Sequence, residues 1–228
     1  MCAVDLGWRI GRAALQATPK NDEVDVGALR RAGHAEGRLP SVLVRQQVLV
    51  RSAALWLAFM GVLWSVFAVG VSTHPEAWTG VTPPEVETGW GVLGYIVAMN
   101  ATVLLLIVIG NIFVRFGPVT PGLLVLGWQA IAIGWTAGTN SFSEPFSSVA
   151  QANAAFLRIG LWETTAYVLM CAVTLDKSLN VADSFPAKQW SEVRRLRDLR
   201  FSRAEIVVAA IGLTCLLVAA LVEAFYHR

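Results

Sequence analysis

Thr88–Val114 reads TGWGVLGYIVAMNATVLLLIVIGNIFV and contains no charged residue. A helix needs roughly 20 consecutive apolar residues to cross the hydrocarbon core of a bilayer, and this stretch is long enough. Two neighbours meet the same test without a charge, Ser52–Ser72 before it and Phe116–Ser143 after it. Phe156–Leu175 is interrupted by Arg158 and Glu163, and Ile206–Phe225 only by Glu223 near its end. The chain is therefore read as all-α, a polytopic membrane protein with five transmembrane helices. Of its 228 residues 55% are hydrophobic and 15% charged, with a mean hydropathy of +0.56, where a soluble domain carries about 25% charged residues.

The net charge of +2 says little, but its distribution says which way the chain runs. Eight Lys/Arg precede the first span: Arg9, Arg12, Lys20, Arg30, Arg31, Arg38, Arg45 and Arg51. The first connection, Thr73–Glu87, holds Glu76, Glu85 and Glu87 and no base. The second is short and holds Arg115, and the third holds Glu144 alone. The fourth carries Lys177, Lys188, Arg194, Arg195, Arg197, Arg200 and Arg203. Lys and Arg are enriched in cytoplasmic loops, so each connection points to an N-terminus inside and a C-terminus outside. An odd number of spans requires that opposition.

Two regions follow. Residues 1–51 are expected to form a cytoplasmic basic arm and, from Pro40 on, a helix leading into the first span. Residues 52–228 form the five-helix membrane domain. Near 187–200, after Pro186, Trp190, Val193, Leu196 and Leu199 alternate with Arg194, Arg195, Arg197 and Arg200. That pattern predicts an amphipathic helix on the inner leaflet. Basic segments beside spans are what membrane anchoring demands, so no nucleic-acid binding is expected. Ser202 and Glu205 have the spacing of a capping box for the last span. The Pro/Gly-rich link Gly117–Gly122 predicts a tight hairpin between spans two and three. The first 50 residues lack a short apolar core with a small-residue cleavage site, so no cleaved secretory signal is expected. Cys2, Cys171 and Cys215 form no C-x-x-C pair and read as small buried hydrophobes. His74 and His227 near span ends are too few for a metal site, so no metal and no cofactor are expected.

Polar groups inside spans are costly and point to function. Asn100 lies in span two, Gln129 in span three and Glu163 in span four. At 1.5 Å per residue they fall ~15, ~14 and ~10 Å below the outer surface, a single layer of the membrane. The plain role for such a layer is a hydrogen-bonded clasp between helices. The functional role is a site in which Glu163 acts as acid or base with Arg158, while Asn100, Gln129 and Thr164 bind substrate. A carboxyl in a dry site is suited to such work.

From Asn100 through Gly117, Pro121-Gly122, Gln129-Ala130 and Gly134, and again at Gly160-Leu161-Trp162-Glu163, the chain resembles the stage II sporulation protein M family of bacterial membrane proteins. The resemblance is to a divergent member. Arg158-Ile159 stands where the family often has Pro-His, and Gln129-Ala130 where it often has Asn-Gly. It covers residues 95–175. It implies five spans and a multi-pass protein of the bacterial inner membrane. The implied role is a scaffold or permease-like subunit of an envelope, transport or peptide-maturation complex. The expected partners are membrane lipids and another protein or a second copy of the chain. The alternative is a membrane-embedded enzyme using Glu163 on a peptide or lipid substrate.

Overall fold

A computed structural model describes residues 41–81, 88–182, 185, 187 and 189–225. The arm before Pro40, Pro40 itself, the acidic Glu85 and Glu87, Pro186, Lys188, Cys2 and His227 lie outside these residues.

Among the described residues the architecture is helical, with helices α1 (Ser41–Thr73), α2 (Trp90–Phe113), α3 (Pro121–Gly138), α4 (Val149–Thr174) and α5 (Arg203–Phe225). Four helical stretches are long and apolar enough to cross a membrane: Gln47–Thr73, Trp90–Phe113, Val149–Thr174 and Arg203–Phe225. The helix α3 is not one of them. It has 18 residues, and four glycines with Gln129 dilute its apolar content. The outward faces are apolar, with Leu105, Ile109, Trp128, Ile211 and Leu217 all exposed. A helix that is apolar on all sides is made for a lipid environment or a core.

The helices alternate in direction. At one end the chain turns through a short helical turn, Pro75–Trp78, and through the loop after Gly138. There the Trp78 indole donates to the Gly138 carbonyl at 3.3 Å, and the Asn140 amide donates to Ala77 at 2.9 Å. The Gly89 N–H donates to the Ala224 carbonyl at 3.2 Å, which ties the start of α2 to the end of α5. Trp90 is 78% exposed and packs edge-on against Phe225.

Small residues set the closest approaches. A side chain at Gly134 or Gly138 would strike the carbonyl of Leu63 or Phe67 on α1, and one at Gly122 would strike Ile107 on α2. The helix α3 is thus wedged between α1 and α2 along a small-residue seam. Without a hydrophobic force between helices in lipid, such backbone contact is a main source of association. The core between them holds Phe59, Leu63, Leu104, Ile107, Leu126 and Val168, all buried.

At the opposite end the connections pair as a small sheet. Strand β1 (Val114–Phe116) runs parallel to β2 (Asn180–Ala182), which pairs antiparallel with β3 (Ser191–Glu192). The hairpin expected between spans two and three is present, closed by the Phe116 N–H donating to Val119 at 2.7 Å, with Gly117 at φ +54°. The amphipathic helix expected near 187–200 is not. Over its described residues the chain is extended, with β3 and a short turn at Leu196–Asp198. Backbone bonding wins: β3 pairs with β2, and the N–H groups of Val193 and Arg194 both donate to the carbonyl of Leu179, just before β2. Trp190 packs edge-on against Phe116 rather than lining a helix face. The capping box forms as expected, with the Ser202 N–H donating to Glu205 at 2.8 Å and the Glu205 N–H to the Ser202 hydroxyl at 3.2 Å.

Candidate functional site

The helix α4 begins at Ser148, whose hydroxyl accepts the Gln151 N–H at 3.2 Å. It then widens into a π turn at Phe156–Gly160. Such turns rotate the helix that follows and recur at functional sites. Gly160 permits this one, because a side chain there would meet the Phe156 ring. One turn on, the Thr164 hydroxyl donates to the Gly160 carbonyl at 2.8 Å and ties off the widened turn. Glu163 and Tyr167, four residues apart, then lie on one face.

That face meets Asn100 on α2. The Asn100 amide donates to the Glu163 carboxyl, and the Tyr167 hydroxyl donates to the Asn100 carbonyl oxygen at 2.7 Å. Donor and acceptor ends of Asn100 are both engaged, which fixes its orientation. Tyr167 is buried, and Glu163 and Asn100 are half-buried. A second link reaches α1, where the Trp56 indole donates to the Thr165 hydroxyl at 3.1 Å.

Asn100 and Glu163 thus share a site, as their common depth suggested, but Gln129 and Arg158 do not join it. Gln129 is half-buried and makes no side-chain hydrogen bond among the described residues. The buried face of α3 is Gly122, Leu126, Ala130, Gly134 and Gly138, and Gln129 sits about 100° from Ala130. Arg158 lies in the π turn, exposed, and forms no ion pair with Glu163. Thr164 is buried at the site, though its hydroxyl is turned to its own helix backbone.

Beside the clasp is a cavity of about 500 Å³. All five helices contribute to its wall, through Leu63 of α1, Ile96 of α2, Ile133 of α3, Thr164 of α4 and Glu223 of α5. It begins at Phe142–Phe146 in the loop after α3 and reaches Glu163, ~20 Å along α4 from Val149. Glu144 and Glu223 join Glu163 in the lining, and no Lys, Arg or His does among the described residues. Sequence reasoning treated Glu223 only as an interruption near the end of a span, and it passed over Tyr167. The i, i+4 spacing from Glu163 would have flagged Tyr167.

A further polar cluster, also missed, closes the sheet end. Asn111 is fully buried and donates to the Thr174 hydroxyl at 2.8 Å and the Cys171 carbonyl at 3.3 Å, and it accepts from Thr120 at 2.5 Å. Its signal was available: eleven residues after Asn100 is only about 20° around a helix. Beside it Lys177 pairs with Glu205 at 2.8 Å, and Arg51 with Asp176 at 3.3 Å.

No protein-family model, curated protein or solved structure matches the chain.

Proposed function

We propose that the chain is a five-span, permease-like subunit of a membrane complex and that its substrate occupies the carboxylate-lined cavity. The observation that carries this reading is the construction of the cavity. Every helix contributes to its wall, and the Glu163 carboxyl is presented to it from a clasp made by Asn100 and Tyr167. A polar group preset on packed helices inside a bundle is what selective passage or binding requires. The enzyme alternative uses Glu163 as acid or base, and Arg158, expected to act with it, is not among the residues that line the cavity.

In this reading α3 is the fifth span. Its 18 residues give ~27 Å of helix against a hydrocarbon core of roughly 30 Å, and its two neighbours shield Gly122, Gly134 and Gly138. The sheet end, with Arg115, Lys177, Arg194 and Arg195, faces the cytoplasm, while the cavity end, with Glu76 and Glu144, faces outward. The N-terminus is then inside and the C-terminus outside. Residence in a bacterial inner membrane, and divergent membership of the stage II sporulation protein M family, rest on the residues around Asn100 and Gly160–Glu163. The exposed Trp190, Val193 and Leu196, interleaved with arginines, offer a partner protein a cytoplasmic surface.

Single cysteines test the topology. One at Thr82 should react with an impermeant thiol reagent added outside cells, and one at Ser191 should not. The reverse pattern overturns the orientation. Purification in mild detergent with native mass measurement tests the complex, and a homogeneous monomer without a co-purifying protein counts against it.

A further inference from the structure

We infer that the cavity binds a small lipophilic organic cation. This names the substrate class of the permease-like reading and rests on it. Three features select that chemistry. The first is charge. Glu163, Glu223 and Glu144 line one cavity, and no basic residue among the described ones joins them. Glu223 lies within electrostatic reach of both other carboxyls, and neither a hydrogen bond nor an ion pair engages its side chain among the described residues. A cation entering here would relieve the cost of holding carboxylates away from water.

The second feature is the wall between the carboxyls. Trp64, Phe67, Tyr95, Phe142, Phe146 and Phe156 supply aromatic surface. Trp64 and Phe156 meet edge-to-face at 5.3 Å, which keeps their rings in a fixed arrangement. Aromatic faces attract cations, most strongly organic ones that shed water easily. The three carboxyls do not converge on a metal-ion site among the described residues, and an apolar neutral molecule would leave Glu223 without a partner. The third feature is size. At about 500 Å³ the cavity falls in the range of small-molecule sites, roughly 300–1,000 Å³.

The test uses the full chain in lipid nanodiscs, with empty nanodiscs as the baseline. Tetraphenylphosphonium is the probe, and tetraphenylborate, of like size and opposite charge, is the control. Saturable binding of the cation but not of the anion is expected. Glu223→Gln and Glu163→Gln should each weaken binding by at least about tenfold. Both variants keep side-chain volume, and Glu163→Gln keeps an acceptor for Asn100, so thermal unfolding near that of the wild type is expected alongside. Equal binding of the two ions, or cation binding indifferent to both substitutions in folded protein, overturns the inference. Binding in nanodiscs depends neither on orientation in the cell nor on a partner. Absent binding with the expected cysteine labelling and complex therefore overturns the substrate class alone. Reversed labelling overturns the topology and leaves the binding result standing.

Discussion

Asn100 and Glu163, on helices α2 and α4 with α3 between them in the chain, are joined by a hydrogen bond from the Asn100 amide to the Glu163 carboxyl, and Tyr167 holds the far end of the same amide at 2.7 Å. The three side chains form a chain of hydrogen bonds that ends on the Glu163 carboxyl rather than a simple pair. Glu163 uses one carboxyl oxygen in the clasp and also lines the cavity, so stability and function meet in one residue and can be separated by substitution.

Glu163→Gln preserves an acceptor for Asn100 and removes the ability to titrate or carry charge. The expected outcome is unchanged thermal unfolding in detergent with loss of function in a complementation or transport assay. Glu163→Ala leaves the Asn100 amide without its acceptor and should cost about 1–3 kcal/mol of stability. Tyr167→Phe removes one interhelical bond and should cost about 0.5–2 kcal/mol. A Gln variant matching the wild type in both stability and function would leave Glu163 as a clasp alone.

Asn111 should matter more for folding than Asn100. It is fully buried and bonds to Thr120, Thr174 and the Cys171 carbonyl, so it joins α2, the start of α3 and the end of α4. Asn111→Ala strands several buried polar groups, each costing about 1–3 kcal/mol when left unsatisfied. Loss of folded yield, measured by size-exclusion chromatography in detergent, is expected. A variant as stable as the wild type would show that water replaces the lost bonds.

The membrane helices were legible because composition alone decides them: uncharged stretches of bilayer length need no knowledge of packing. Depth was legible too, since rise per residue is fixed, and it brought Asn100 and Glu163 to one layer. Azimuth was not. Gln129 makes no hydrogen bond to them among the described residues, and the small residues of α3 claim its buried face. The π turn at Phe156–Gly160 further shifts the register of α4, and no periodicity announces it. The segment after Trp190 has a helical pattern yet is held extended by β2, a partner some ten residues earlier in the chain that local pattern cannot see. The helix α3 has the length of a span like its neighbours, but three of its four glycines, Gly122, Gly134 and Gly138, serve contact with α1 and α2 more than hydropathy.

Two glycines of α3, Gly134 in the seam and Gly127 outside it, give a paired prediction on one helix. A methyl group at Gly134 would lie 2.5 Å from the Leu63 carbonyl oxygen, so Gly134→Ala must push α1 away from α3 and should cost about 1–3 kcal/mol. At Gly127 nothing lies within 4 Å of the same methyl group. Gly127→Ala should therefore be neutral or stabilise by about 0.5–1 kcal/mol through lower chain entropy. Thermal unfolding of both variants in the same detergent checks the contrast. Equal effects would mean that the seam is not the contact that holds α3.

Lys177 and Glu205 form the tightest ion pair at the sheet end, at 2.8 Å, with side chains 10% and 4% exposed. Glu205 carries two duties, since its other oxygen accepts the Ser202 N–H and caps α5. Arg51 and Asp176 flank the pair and interact with it only at longer range, 3.9 Å from Arg51 to Glu205 and 3.6 Å from Asp176 to Lys177. Removing one member of a buried pair strands the other charge, at a cost of about 3–5 kcal/mol, whereas replacing both by apolar groups of similar volume is often neutral. Lys177→Met alone should therefore destabilise strongly, and Glu205→Gln somewhat less, because the amide oxygen still caps Ser202. The double variant Lys177→Met, Glu205→Gln should recover much of the loss. Thermal unfolding of the four proteins gives the coupling directly. Strictly additive losses would mean that the two charges are stabilised separately, Glu205 by Arg51 and Lys177 by Asp176, and that the 2.8 Å contact contributes nothing of its own.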